Sequence, residues 1–185
     1  TMVPERCESV IIDGVSNYFH HYESLVSPSK YVDSDKVLVG FFDECMKAGD
    51  DCALSRFAKD KTQLQSRVMG FIGNLTNEPL NVYINNTLYG TLDGHKILFG
   101  IFSHLYKPVG WYTLADELAQ LMRGNGTAAL LAYGLDDGED AYSDHSRIIN
   151  NNDAISGKDN WPQKEELQEF LLRAFNQSVF ASELF

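Results

Sequence analysis

Residues 33–49 read DSDKVLVGFFDECMKAG. Apolar pairs return there every four residues, at Val37/Leu38, Phe41/Phe42 and Cys45/Met46, which gathers them on one side of an α-helix. Asp33 or Ser34 can cap the amino end by accepting an orphan backbone N–H. Gly49 can stop the other end, because glycine tolerates the left-handed backbone of a helix terminus. The same period recurs downstream. Leu64, Val68, Phe71, Ile72 and Leu75 predict a second helix, and Ile97, Leu98, Ile101, Phe102 and Leu105 a third that Pro108 prevents from continuing. Trp111, Leu114, Ala115, Leu118, Ala119 and Met122 predict a fourth, capped near Thr113 and ended by Gly124, with a short fifth segment from Thr127 to Tyr133. A last helix is expected from Pro162 at its first position and Asn160 as its cap, with the stripe Leu167, Phe170, Leu171, Ala174 and Phe175.

Two stretches break this period. NVYINNTLYG at 81–90 alternates and predicts a small hairpin turning at Asn85-Asn86. CESVIID at 7–13 holds Val10, Ile11 and Ile12 in a row, the pattern of a strand buried on both faces, yet it has no sister strand. Residues 134–160 are rich in Asp, Asn, Gly and Ser and read as a mobile polar loop with one buried touch-point at Ile148 and Ile149. The fold class expected is therefore mainly α: a helical cap of five to six helices, one short orphan amino-terminal strand and a small hairpin.

Composition narrows the partners. With 44% hydrophobic residues in 185, the chain can build its own core, and 12% aromatic against 22% charged residues excludes a disordered class. Fifteen Lys and Arg against 26 Asp and Glu leave a net charge of −11, which repels phosphate backbones and anionic membrane surfaces, so neither nucleic acid nor a membrane is expected as a partner. The longest apolar runs, such as ILFGIF at 97–102, are too short to span a bilayer.

The three cysteines alone leave a cytosolic set of buried thiols and a secreted set with a disulfide equally open. Four N-x-S/T sequons, at Asn74, Asn85, Asn125 and Asn176, decide for a secretory origin and mark those residues as candidate N-glycosylation sites. In that setting Cys45 and Cys52 become a candidate disulfide, and Cys7 is left over. TMVPERCESV at the amino end carries charges where a signal peptide would be apolar, so the expectation is that the amino end has been cut away.

Chemistry-bearing motifs are missing. There is no G-x-S-x-G, phosphate-binding loop, H-E-x-x-H or C-x-x-C, so no catalytic residue, metal site or cofactor is expected. His20-His21, His95, His104 and His145 read as surface or core histidines, because none pairs with another at helical i, i+4 spacing. Ser143-Asp144-His145 places triad residue types side by side, where they cannot adopt relay geometry. The run Asp136-Asp137-Gly138-Glu139-Asp140 lacks the ladder of a Ca²⁺ loop and reads as a solvated face.

Three segments nevertheless resemble one family. MVPERCESVIIDGV at 2–15, FFDECMKAGDDCAL at 41–54 and LYKPVGWYTLADELAQL at 105–121 are similar, in order and spacing, to secreted α/β-hydrolases of the tripeptidyl-aminopeptidase-like serine peptidase branch. The resemblance implies that residues 1–14 close a core helix through Pro4-Glu5-Arg6 and form one core strand at Val10 to Ile12. Residues 15–185 would then be the inserted helical cap. It implies that Cys45 and Cys52 match a cap disulfide and that Pro108, Trp111, Leu114 and Ala115 match a P-x-x-W-x-x-L-A segment. Where relatives leave the cap through an A-I-x-C-x-D-like stretch, this chain has Ile148 to Ala154, keeping Asp153 and lacking the cysteine, which leaves the partner of Cys7 open.

On this resemblance the nucleophile elbow lies upstream of Thr1 and the acid and histidine downstream of Phe185. The chain is then a catalytically silent lid that covers an active site and shapes substrate access, its partners being the rest of the hydrolase core and a peptide or ester substrate. An exopeptidase must recognise a free α-amine, for which carboxylates are suited. Glu44, Glu117, Asp153 and Asp13 are the candidate substrate-binding residues. The alternatives are a free-standing secreted acidic helical binding module and one chain of a proteolytically matured hydrolase.

Overall fold

In a computed structural model of the chain, the described residues are 4–9, 11, 13, 31–135, 148, 152 and 162–181. Among them the fold is mainly helical with one two-stranded antiparallel hairpin. In chain order the elements are α1 (Ser34–Ala48), α2 (Lys61–Asn77), β1 (Leu80–Asn85), β2 (Leu88–Leu92), α3 (Gly94–Leu105), α4 (Trp111–Met122), α5 (Thr127–Ala129) and α6 (Lys164–Gln177). A π-helical turn, Leu130–Gly134, continues α5.

The first helix falls where its apolar period places it. Leu38, Phe41, Phe42 and Cys45 are buried along one stripe, and Gly49 ends the helix at φ 57°, a conformation in the left-handed region that a side chain disfavours. Beyond Gly49 the chain makes two 3₁₀ turns, Gly49–Asp51 and Ser55–Phe57. The Ser55 hydroxyl ties them together, lying 2.6 Å from the Gly49 carbonyl and 2.8 Å from that of Cys52. This turn brings Cys45 and Cys52 to a Cα separation of 5.3 Å, and they form the expected disulfide. Cys7 is exposed. Because the bond closes an eight-residue ring, its chain-entropy contribution is about 2.5 kcal/mol. Replacing both cysteines by alanine should therefore lower the thermal midpoint by roughly 5–10 °C, measured by calorimetry at matched pH. A shift under about 2 °C would show that the turn is held by its hydrogen bonds alone.

Asp residues begin the next two long helices. Asp60 accepts from the Gln63 backbone N–H at 2.8 Å and Asp93 from that of Lys96 at 2.8 Å, each satisfying an orphan donor of a first turn. From α2, Leu64, Val68, Ile72 and Leu75 enter the core; α3 contributes Ile97, Ile101 and Leu105, and α4 contributes Leu114, Leu118 and Leu121. The fourth helix starts earlier than its expected cap near Thr113. A 3₁₀ turn at Pro108–Gly110 runs straight into Trp111, so the corner between α3 and α4 is tight.

The hairpin pairs Leu80 with Leu92, Val82 with Gly90 and Tyr83 with Tyr89. Val82 and Leu92 are buried, while Tyr83 and Tyr89 face solvent side by side. Its turn lies one residue later than expected, at Asn86-Thr87. The Asn85 carboxamide accepts from the Thr87 and Leu88 backbone N–H groups at 2.9 and 3.0 Å, which fixes Asn85 as the last residue of β1.

The last helix differs most. It begins at Lys164 with Gln163, not Asn160, as its cap: the Gln163 and Glu166 side chains each bond the other's backbone N–H in a capping box. Asn160 itself lies outside the described residues. Of the expected stripe only Ala174 is buried, and Leu167 and Phe175 are exposed. Residues 178–180 fasten the helix to the rest of the fold. Ser178 donates its hydroxyl to Asp35 in the first turn of α1 at 2.7 Å, the Val179 N–H reaches the same carboxylate at 3.2 Å, and Phe180 inserts into the core beside Phe102.

Of the expected strand, Val10 and Ile12 lie outside the described residues. Ile11 is 93% exposed and outside any strand in this chain. The polar loop at 134–160 is described only at Gly134, Leu135, Ile148 and Asn152. Ile148 is 58% exposed, so it is not a buried touch-point; Ile149 lies outside the described residues. His20, His21, His145 and the acidic run 136–140 also lie outside them, as does the boundary expected after residue 14. No helix among the described residues is long and apolar enough to cross a membrane.

Candidate functional site

Glu117 stands out among the acids because it is buried, at 8% exposure. It lies on α4 between Leu114 and Leu121, three and four residues away, and so projects from the buried side of the helix. His104 occupies the last turn of α3, on the other side of the Pro108–Gly110 corner. Its Nδ1 is 2.8 Å from the Gly100 carbonyl. A carbonyl only accepts, so Nδ1 carries a proton and Nε2 is directed elsewhere. That nitrogen lies 3.7 Å from the Glu117 Oε2, close enough for charges to interact and too far for a hydrogen bond.

Tyr133, on the π turn, completes the group. Its ring meets the His104 ring edge-on at 6.0 Å and sits directly on Gly100. The turn is pinned to α3 by the Lys96 Nζ, which donates to the Gly134 carbonyl at 2.9 Å. Neither the Tyr133 hydroxyl nor the Glu117 Oε2 has a hydrogen-bond partner, although both are buried. The Trp111 indole N–H is a third such group, on a ring packed edge-on against Phe41 at 5.9 Å. Leaving buried polar groups unpaired costs stability, so a site that retains two of them beside an imidazole is a place where function can reside.

The electrostatics follow from this enclosure. Burial raises the Glu117 pKa above its ordinary 4.5; the nearby His104 pulls it back down, and Asp116 pushes it up. Tyr133 is raised as well, first by burial and then by the Glu117 charge, so the phenol stays protonated. A folded-state value above the unfolded one means that Glu117 favours the fold while it is protonated. That contribution is complete below pH 4.5 and is lost as pH rises through the folded-state value. Glu117→Gln should therefore raise the thermal midpoint by a few degrees at pH 7 and leave it unchanged near pH 4. A midpoint difference independent of pH would mean that Glu117 does not titrate inside the fold.

The other candidate acids are not brought to this place. Glu44 is exposed on α1 and pairs with Lys47 at 2.8 Å, beside Asp43, which pairs with Lys47 and Lys61. Those cations hold Asp43 below its ordinary range. Asp13 is exposed in the amino-terminal segment, and Asp153 lies outside the described residues. Among the described residues no group of three His, Cys, Asp or Glu side chains is placed to hold a metal ion. The four sequon asparagines are all exposed.

Reading the histidines only for i, i+4 pairing missed His104. Its signal was its place three residues after Ile101, at the edge of an apolar stripe, with Glu117 likewise inside the stripe of the next helix. Tyr133 carried no such signal, because its position depends on the π turn. Chemically the arrangement can hold and exchange a proton beneath the α3–α4 corner. The Glu117 Oε2 is closed to solvent, so in this conformation a substrate amine cannot reach it.

Comparison with known proteins adds no relative. No family model, curated protein or solved structure matches the chain.

Proposed function

We propose that this chain is the lid of a secreted serine hydrolase of the aminopeptidase-like kind, covering the active site and shaping access for a peptide or ester substrate. The observation that carries the reading is the α3–α4 corner. Tyr106, Val109 and Tyr112 stand out into solvent there, Val109 at 89% exposure, while Leu114 and Ala115 of the same segment are buried. An apolar patch held out by a rigid turn is the kind of surface a protein keeps for contact with another surface. This corner is also the segment that resembles the family's P-x-x-W-x-x-L-A. In the lid reading it rests on the hydrolase core at the mouth of the site, where covering apolar surface excludes water from the reaction.

The disulfide and the exposed sequons support a secreted setting. The buried Glu117 is a proton-holding group beneath the corner in this reading, and Glu44 and Asp13, both exposed, remain the described carboxylates able to meet a substrate amine. The test is the parent reading frame together with a probe assay. A G-x-S-x-G encoded upstream in the same frame is expected, and the isolated chain should neither react with a serine-directed fluorophosphonate nor turn over aminoacyl substrates. A frame opening near residue 1 with its own signal peptide, or turnover by the chain alone, overturns the lid.

A further inference from the structure

The four sequons do not stand in equivalent conformations, and the difference concerns the two groups that glycosylation needs: an asparagine amide and the hydroxyl two residues later. Asn74-Leu75-Thr76 lies within α2, where residues two apart point to different sides of the helix. The Thr76 hydroxyl donates back to the Ile72 carbonyl at 3.4 Å. In Asn176-Gln177-Ser178 the Ser178 residue is buried, its hydroxyl donating to Asp35 at 2.7 Å and accepting from the Phe180 N–H at 3.1 Å. In both sequons the hydroxyl is already committed away from its asparagine.

Asn85-Asn86-Thr87 is arranged the other way. At the exposed tip of the hairpin, the Asn85 Oδ1 accepts from the Thr87 hydroxyl at 2.8 Å, the Thr87 N–H at 2.9 Å and the Leu88 N–H at 3.0 Å. Three donors on one carboxamide oxygen stabilise the negative charge that gathers there as Nδ2 gives up a proton, which lowers the cost of that proton's loss during transfer. Asn125-Gly126-Thr127 has part of this geometry, with the Asn125 Oδ1 accepting from the Thr127 N–H at 3.1 Å.

We infer that Asn85 is the principal N-glycosylation site of the chain and Asn125 a secondary one, while Asn74 and Asn176 stay essentially bare. The inference rests on the secreted reading. The co-reactant is a polyprenyl-diphosphate-linked oligosaccharide. The Asn85 Nδ2 forms a bond to the anomeric carbon, the anomeric C–O bond to phosphate breaks, the lipid diphosphate leaves with that electron pair, and the displaced amide proton passes to a carboxylate of the transferase.

The whole chain, carried into the secretory pathway of a eukaryotic cell by an added signal peptide, provides the test. Amidase release in heavy-oxygen water marks each formerly glycosylated asparagine as labelled aspartate, and peptide mass mapping gives the occupancy. Asn74 is the fair comparison, since its sequon also carries threonine. One extra hydrogen bond presenting the acceptor corresponds to about tenfold, so Asn85 should exceed Asn74 in occupancy by that order, and Thr87→Val should leave Asn85 bare. Equal or greater occupancy at Asn74 or Asn176, or no glycan on Asn85, overturns the assignment. The glycan map needs no hydrolase core, and the probe assay needs no glycan, so the failure of one reading is not mistaken for the failure of the other.

Discussion

Phe180→Ala is expected to cost about 3–5 kcal/mol, the largest single effect in the carboxy-terminal part of the chain. Phe180 is 0% exposed, and its ring packs 5.3 Å from that of Phe102, which also meets Tyr31 at 5.4 Å. Removing it opens a cavity between α3 and the segment after α6. The loss should not spread evenly. Of α6 only Ala174 is buried, so the segment just after it is where the helix meets the core most closely. The Ser178 and Val179 bonds to Asp35 need Phe180 seated to hold their positions. Hydrogen exchange and limited proteolysis should thus show 164–177 losing protection first, while α2 and α4 keep theirs. Phe180→Leu should recover most of the loss, and Ser178→Ala alone should cost about 1–2 kcal/mol. A thermal midpoint moved by less than about 3 °C in Phe180→Ala would show that α6 is held by something else.

How much of this was readable in the sequence depends on the kind of interaction. The first four helices were legible because a buried stripe repeats every three to four residues, and Leu64, Val68, Ile72 and Leu75 are buried as that rule requires. The last helix has the same pattern and mostly lacks the burial: a stripe in sequence says which side is apolar, not whether anything covers it. Caps were poorly legible: Asp33 begins α1 without a side-chain cap bond, Gly110 rather than Thr113 precedes α4, and Gln163 prevails over Asn160 through a reciprocal partner, Glu166. The hairpin turn moved by one residue because a side chain, Asn85, takes the hydrogen bonds that a backbone carbonyl takes in other turns. Of the site, Glu117 was singled out for its charge, whereas its burial and its neighbour His104 are properties of how two helices meet at a corner.

Gly100→Ala tests whether the His104–Glu117–Tyr133 group is one packed unit, and about 3 kcal/mol is expected, toward the upper end for overpacking. A Cβ on Gly100 would lie 2.6 Å from both Cδ atoms of the Tyr133 ring, inside any tolerable contact. The ring cannot simply slide away, because the π turn that carries it is held to α3 by Lys96 at the Gly134 carbonyl. The strain should therefore move the turn, open the space over Glu117 and admit water to its carboxylate. Hydration removes the desolvation that raises the Glu117 pKa. In the Gly100→Ala background, Glu117→Gln should then lose its stabilising effect at pH 7. Adding Tyr133→Leu should relieve the clash, so the double variant should be more stable than the summed single costs by about 1–3 kcal/mol. Additive costs, or a Glu117→Gln effect untouched by Gly100→Ala, would show that the carboxylate and the phenol are buried independently rather than enclosed by one contact.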